Sequence, residues 1–202
     1  MKGRLILVTG AGRGAGQAIA LRLGAAGAAV AAIDVNPDGA ARTAEAIAQA
    51  GGKAQALTAD VSNKMAVQTL LYQLLEAGER LGGLVNAANV APGGAALTLD
   101  EWAWNRTLEV NLKGAFLMAQ TAARAMKETG GGLIVNVQRP AGEPPNAGVW
   151  AARAGLRGLT EALRAEWAAL GVRVELVEAG ADLEATAAVV TRLFQAHLEG
   201  GE

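Results

Sequence analysis

Short continuous apolar runs alternate with longer helical stretches along most of the chain, and glycine or proline marks the joins. The first run, 4–9 (RLILVT), leads into the glycine-rich stretch 10–16 (GAGRGAG) and an Ala/Leu-rich helix at 17–26. A second run at 28–33 closes on Asp34, after which Pro37 and Asp38 open a helix to residue 50. A third strand is expected at 53–59. Ser62 is expected to cap a helix to residue 81, with Met65, Leu70, Leu71, Leu74 and Leu75 on its apolar side and Gly82-Gly83 as its stop. The pattern continues with strands at 84–88, 133–137 and 172–177, one long helix at 100–127, and helices at 149–170 and 182–198. Strands that are apolar on both sides and separated by helices require a parallel sheet covered on both faces and joined by right-handed crossovers. The expected architecture is therefore a doubly wound α/β fold with six parallel strands. No linker, repeat or charge run interrupts it, so one domain is expected over residues 1–202.

Composition narrows the function. Apolar residues make up 51% of the 202 and charged ones 18%, which suits a folded domain and not a disordered chain. Eighteen basic against nineteen acidic residues leave a net charge of -1, giving no field that would gather nucleic acid or an anionic membrane. There is no cysteine, so disulfides, thiolate nucleophiles and thiolate metal sites are excluded, and no metal is expected. The amino-terminal apolar run is too brief for a signal or spanning segment, and a cytoplasmic location is expected. The one irregular stretch, 138–147 (QRPAGEPPNA), holds three of the five prolines. It follows the carboxyl end of a strand, where open α/β sheets place their ligand crevices.

The glycine-rich stretch carries the strongest chemical signal. Gly10, Gly14 and Gly16 after a strand let the backbone turn tightly and approach a pyrophosphate, while the next helix offers free amides and the positive end of its dipole. Position 15 is alanine, so the spacing departs from a strict G-x-G-x-x-G and its meaning comes from the strand, helix and acid around it. The acid is Asp34, eighteen residues after Gly16. A carboxylate there accepts hydrogen bonds from ribose hydroxyls and repels a 2′-phosphate, favouring NAD over NADP; the alternative is a strand-end turn residue. Arg13 works in the opposite sense, as a partner for a 2′-phosphate or as a solvated loop side chain.

These residues resemble the short-chain dehydrogenase/reductase family, whose fold is of the Rossmann type. Residues 9–16 (TGAGRGAG) look like its T-G-x-x-x-G-x-G cofactor loop, and Asp34 matches its NAD-selecting acid. The resemblance implies that Gly10, Arg13, Gly14, Ala15 and Gly16 contact the cofactor phosphates and that Asp60-Val61 flank the adenine. Residues 86–89 (NAAN) partly match the family's N-N-A-G; Asn86 is kept, and Asn89 in place of glycine is tolerable in a left-handed conformation. Asn111 falls on the family's catalytic-tetrad asparagine, the alternative being a polar residue inside a helix.

At the catalytic positions the resemblance breaks down. Arg139 stands where the family has its serine, Val149 where it has tyrosine and Arg153 where it has lysine. A slip of one residue would put Trp150 on the tyrosine, and an indole does not act as an acid near neutrality. The whole chain has one tyrosine, Tyr72, expected as a packing residue, and one histidine, His197, expected as a solvated last-turn residue. The only serine is Ser62. Glu143 is the one carboxylate in the irregular stretch; pairing with Arg139 or Arg153 would keep it ionised and make it a poor acid. Arg153 remains a cation that can grip ribose hydroxyls. The family's substrate-covering insert after the sixth strand is missing, so an open pocket is expected. Trp102, Trp104, Trp150 and Trp167 lie on the helices at 100–127 and 149–170, which build dimers in the family, and a homodimer is expected, with core packing as the alternative. Three functions stay open: an NAD-binding protein that has lost the reaction and acts as a sensor, partner subunit or scaffold; an atypical NAD-dependent oxidoreductase on a carbonyl or alcohol; and an oligomer that binds no nucleotide.

Overall fold

The computed structural model describes residues 1, 3–140 and 146–199. Six strands, β1 (Leu5–Thr9), β2 (Ala29–Asp34), β3 (Lys53–Thr58), β4 (Leu81–Asn86), β5 (Gly132–Gln138) and β6 (Val172–Glu178), form one parallel sheet in the order β3-β2-β1-β4-β5-β6. Helices α1 (Gly14–Ala25), α2 (Pro37–Gln49), α3 (Lys64–Glu76), α4 (Glu101–Leu108), α5 (Ala115–Glu128), α6 (Ala147–Trp167) and α7 (Leu183–Glu199) connect the strands and close the chain. This is the Rossmann-type α/β fold expected from the pattern.

The two faces follow from the pleat of β1. Leu5 and Leu7 face a core built with Leu70, Leu71 and Leu74 of α3 and Met118, Ala122 and Met126 of α5. Ile6 and Val8 face the opposite core, made with Ile19 and Leu23 of α1, Ile47 of α2, and Val190 and Phe194 of α7. Because β1 is flanked by β2 on one side and β4 on the other, the strand order reverses there and a crevice opens above the carboxyl ends of these strands.

Several local expectations are corrected. Asn63, not Ser62, caps α3, its Oδ1 accepting from the N–H groups of Met65 and Ala66. The helix stops at Glu76, where Gly78 takes the left-handed conformation (φ 78°) and bonds back to the Leu75 carbonyl. Gly82 and Gly83 lie inside β4, where a Cβ on Gly83 would sit 2.1 Å from the ring of Phe194 on α7. Met65 and Leu75 are exposed, as is Tyr72 at 63%, so the tyrosine is not a core residue. The expected helix at 100–127 is interrupted by a π-helical turn, Glu109–Gly114, which carries Asn111. No non-glycine residue has a positive φ among the described residues, so Asn89 is accommodated without a left-handed backbone.

Candidate functional site

The crevice is an open cleft of about 650 Å³, with Gly10, Arg13–Gly16, Asp34, Asp60, Trp102, Arg106 and Arg139 on its walls. Its first wall is the turn from β1 into α1. Gly10 has φ 64° and its Cα lies where a Cβ would meet the Ala88 backbone at 2.7 Å; a Cβ on Gly16 would sit 2.2 Å from the Gly10 carbonyl oxygen. Gly14 differs, since a Cβ there would meet nothing within 4 Å. The α1 amino terminus is also distinct. Side chains of Asn36, Asn63, Asp100 and Asn146 accept N–H bonds at the starts of α2, α3, α4 and α6, whereas Arg13 at the start of α1 provides no such bond. The first amides of α1 thus keep their capacity for an external acceptor, which is the arrangement a phosphate uses.

Asp34 is fixed at the end of β2. One carboxylate oxygen accepts from the Gly12 N–H and the other from the Asn36 N–H, both at 2.9 Å. The Thr43 hydroxyl donates to the Ala11 carbonyl, tying the glycine turn to α2. At the end of β3, Asp60 pairs with Arg106 of α4 at 3.0 Å and accepts from the Ser62 hydroxyl and N–H. Burial pushes the Asp60 carboxyl up, but the Ser62 bonds and the Arg106 guanidinium outweigh it and hold the group below its ordinary value. Arg106 and the neighbouring Trp102, 69% exposed on the rim, were not among the expected site residues. Their one local signal is an i, i+4 spacing on α4; the link to Asp60 spans the fold.

Arg139 also lines a smaller pocket, with Asn86, Asn111, Gln138, Val149 and Arg153 among others, whose volume of about 20 Å³ leaves room for little more than a water. Asn111 does not point a free amide at it: its Oδ1 accepts from the Val90 N–H at 2.8 Å and its Nδ2 donates to the Val90 carbonyl at 2.7 Å. Val149 is 4% exposed and fills its position with hydrocarbon. Arg153 donates to the Arg139 carbonyl and stacks its guanidinium over Trp150, 5.7 Å from the ring centre. Asn86, at the end of β4, donates to Asn136 of β5 and to the Ala115 carbonyl. Gln138, which the sequence did not single out, is 3% exposed, and neither its Oε1 nor the Oδ1 of Asn86 has a donor. An acceptor buried in this way costs ~1–3 kcal/mol.

No tyrosine, histidine, serine, lysine or glutamate lines either pocket among the described residues. Glu143 lies outside the described residues. His197 is half-buried on α7, not solvated as expected; burial, with the Arg173 and Arg4 cations, pushes its imidazole below the ordinary value. Of the four tryptophans, Trp102 and Trp150 are well exposed, Trp104 less so, and Trp167 packs against the core. No group of three or more metal-ligating side chains occurs, and no helix is long and apolar enough to cross a membrane, among the described residues.

Residues 4–191 match the sequence profile of the family described as short chain dehydrogenase. D-threitol dehydrogenase of Mycolicibacterium smegmatis is 36% identical over 180 residues, covering 88% of this chain and 69% of the relative. A metagenomic short-chain oxidoreductase solved in complex with NADP has a TM-score of 0.89 at 33% identity, over 96% of this chain and 91% of the other. NAD+-bound xylitol dehydrogenase has a TM-score of 0.83 at 28% identity, over 88% and 70%.

Proposed function

We propose, from the premise that this chain belongs to the short-chain dehydrogenase family, that it is a single dinucleotide-binding unit that holds NAD(H) and transfers no hydride, acting as a sensor, partner subunit or scaffold. The residues present fit a dinucleotide. The uncapped amides of α1 and the open space beside Gly14 suit a pyrophosphate cradled by Gly10, Arg13, Gly14, Ala15 and Gly16. Asp34, oriented by two backbone N–H groups, keeps lone pairs for ribose hydroxyls and sets a negative charge where NADP would bring a phosphate, which supports NAD. Asp60 and Val61 would flank the adenine, and Asn86 and Arg153 would lie toward the nicotinamide ribose.

A bound nicotinamide supplies hydride exchange, and the protein must then supply or remove a proton at the substrate oxygen. The observation that carries the reading is that Arg139, Val149 and Arg153 form this wall. Hydrocarbon cannot donate a proton, and guanidinium groups stay protonated across the working pH range. The dehydrogenase names of the relatives support a second reading, an atypical NAD-dependent oxidoreductase. Titration by NADH fluorescence, followed by mixing the complex with a panel of ketones and aldehydes, separates the two. Saturable binding without NADH oxidation is expected. Steady turnover would favour the oxidoreductase, and no binding of either dinucleotide would overturn both. The exposed Trp102, Trp104 and Trp150 on α4 and α6 support a homodimer, which light scattering on the purified protein would test.

A further inference from the structure

We infer that the cleft discriminates between the two redox states of its dinucleotide, holding NADH in preference to NAD+, and that Arg139, with Arg153 behind it, sets this preference. The inference rests on the reading of the cleft as a non-reacting NAD(H) site and names the state to which that site responds.

The charges of the cleft are sorted along its length. β1 lies at the centre, with β2 and β3 on one side and β4 and β5 on the other, each side reaching about 10 Å over two strand spacings. Both acids of the cleft wall, Asp34 at the end of β2 and Asp60 just after β3, stand on the first side. Asp60 is matched by Arg106, whereas the Asp34 carboxylate accepts only from backbone N–H groups. On the second side no acid lines the cleft among the described residues. Arg139 follows β5 there, and it has no ion pair among the described residues. Arg153 of α6 donates to the Arg139 carbonyl, stacks over Trp150 and is likewise without an acid. Acids close by in the fold are engaged elsewhere. Glu178, which faces Gln138 in the strand register, pairs with Arg157, and Asp182 accepts the Ala185 N–H at the start of α7. The positive end of the α6 dipole adds to the same field, since α6 begins at Ala147, beside Val149.

A dinucleotide with its diphosphate at the amino terminus of α1 and its adenosine ribose at Asp34 must run its other half over β4 and β5, toward Arg139. NAD+ and NADH differ at the ring of that half, which is positively charged when oxidised and neutral when reduced. The diphosphate, and Arg13 beside it, contribute to both states alike and cancel from their ratio. What remains is one positive charge set against two guanidiniums with no carboxylate to offset them. At the effective dielectric of about 20 that suits charges near a protein surface, a like charge about 10 Å away lowers an affinity by about tenfold. A protein biased in this way changes its occupancy with the ratio of reduced to oxidised dinucleotide, which is what a sensor requires.

Calorimetric titration of the full chain with NADH, NAD+ and ADP-ribose, at low and high salt, tests this. NADH is expected to bind about tenfold more tightly than NAD+ at low salt, with the ratio shrinking as salt is raised. In Arg139→Gln the ratio should fall to within about threefold of one, because NAD+ gains relative to NADH and ADP-ribose, which change in step. Arg139→Lys keeps the charge and should keep the parent ratio. A merely structural role for Arg139 would instead weaken all three ligands alike and leave the ratio where it was. Equal NADH and NAD+ constants in the folded parent protein, or a ratio that Arg139→Gln does not move, overturns the inference and leaves the dinucleotide reading intact. Binding of neither dinucleotide removes both.

Discussion

At the end of the cleft built from the glycine turn, Asp34 and Asp60, the side chains are held by partners that leave them facing the crevice in one geometry. At the other end, around Arg139, Val149 and Arg153, two buried oxygens lack donors and two guanidiniums lack acids among the described residues. The first end depends on backbone: glycines that permit close approach, and a helix terminus left uncapped. The second depends on a few side chains at strand and helix ends. Replacing those disturbs little of the packing, because Val149 is buried as hydrocarbon and Arg153 finds a carbonyl and an indole. On the proposed reading, binding and reaction would therefore be carried by separate parts of the cleft.

The largest test of that contrast is to rebuild the second end. Arg139→Ser with Val149→Tyr and Arg153→Lys would restore a hydroxyl, a phenol and an ammonium at the positions the family resemblance assigns to them. A positioned acid contributes roughly a hundredfold to ten-thousandfold in rate. NADH oxidation with a ketone panel should rise by at least about a hundredfold over the parent protein. An unchanged rate in a folded, NADH-binding variant would show that the second end differs by more than three side chains.

The first end can be broken through its backbone. Gly16→Ala places a Cβ 2.2 Å from the Gly10 carbonyl oxygen, and such overpacking costs typically ~1–3 kcal/mol. A lowered melting temperature and loss of NADH binding are expected. Gly14→Ala meets open space and bears only the strain of φ 60°, about 1–2 kcal/mol. It should retain more stability than Gly16→Ala, and calorimetry of the pair checks the order.

The sequence made the first end legible because its determinants are local: a strand, three glycines and an acid at the end of the next strand. The apolar runs likewise revealed the sheet, since the central strands β1, β4 and β5 are buried along their whole length. What stayed hidden was long-range. Gly83 reads as a helix stop until Phe194 is seen against it, and Ser62 reads as a cap until Asp60 and Arg106 claim its hydroxyl. The orphan oxygens of Asn86 and Gln138 follow from a chain of amides across β4, β5 and α6, which no spacing encodes.

A smaller effect is expected from Asp34→Ala. Removing the carboxylate removes its repulsion of a 2′-phosphate, while the Gly12 and Asn36 N–H groups lose their acceptor. The ratio of NADPH to NADH dissociation constants should shift by about tenfold toward NADPH, equivalent to about 1.4 kcal/mol. An unchanged ratio would remove Asp34 from cofactor selection.

The smallest effect concerns the Asp60–Arg106 pair, which is partly exposed. Such pairs contribute ~0.2–1 kcal/mol, so a double-mutant cycle with Asp60→Asn and Arg106→Gln should give a coupling in that range at pH 7. The pH dependence follows from the lowered Asp60 value. A carboxyl that ionises more readily when folded adds stability above its unfolded value, near 3.8, and that stability is lost as pH falls through the lower folded value. The coupling should therefore hold steady from pH 7 to 5 and fade only below the ordinary carboxylate value. Fading already at pH 5 would mean that burial, not Arg106 and Ser62, dominates at Asp60, and the first end of the cleft would then be no better paired than the second.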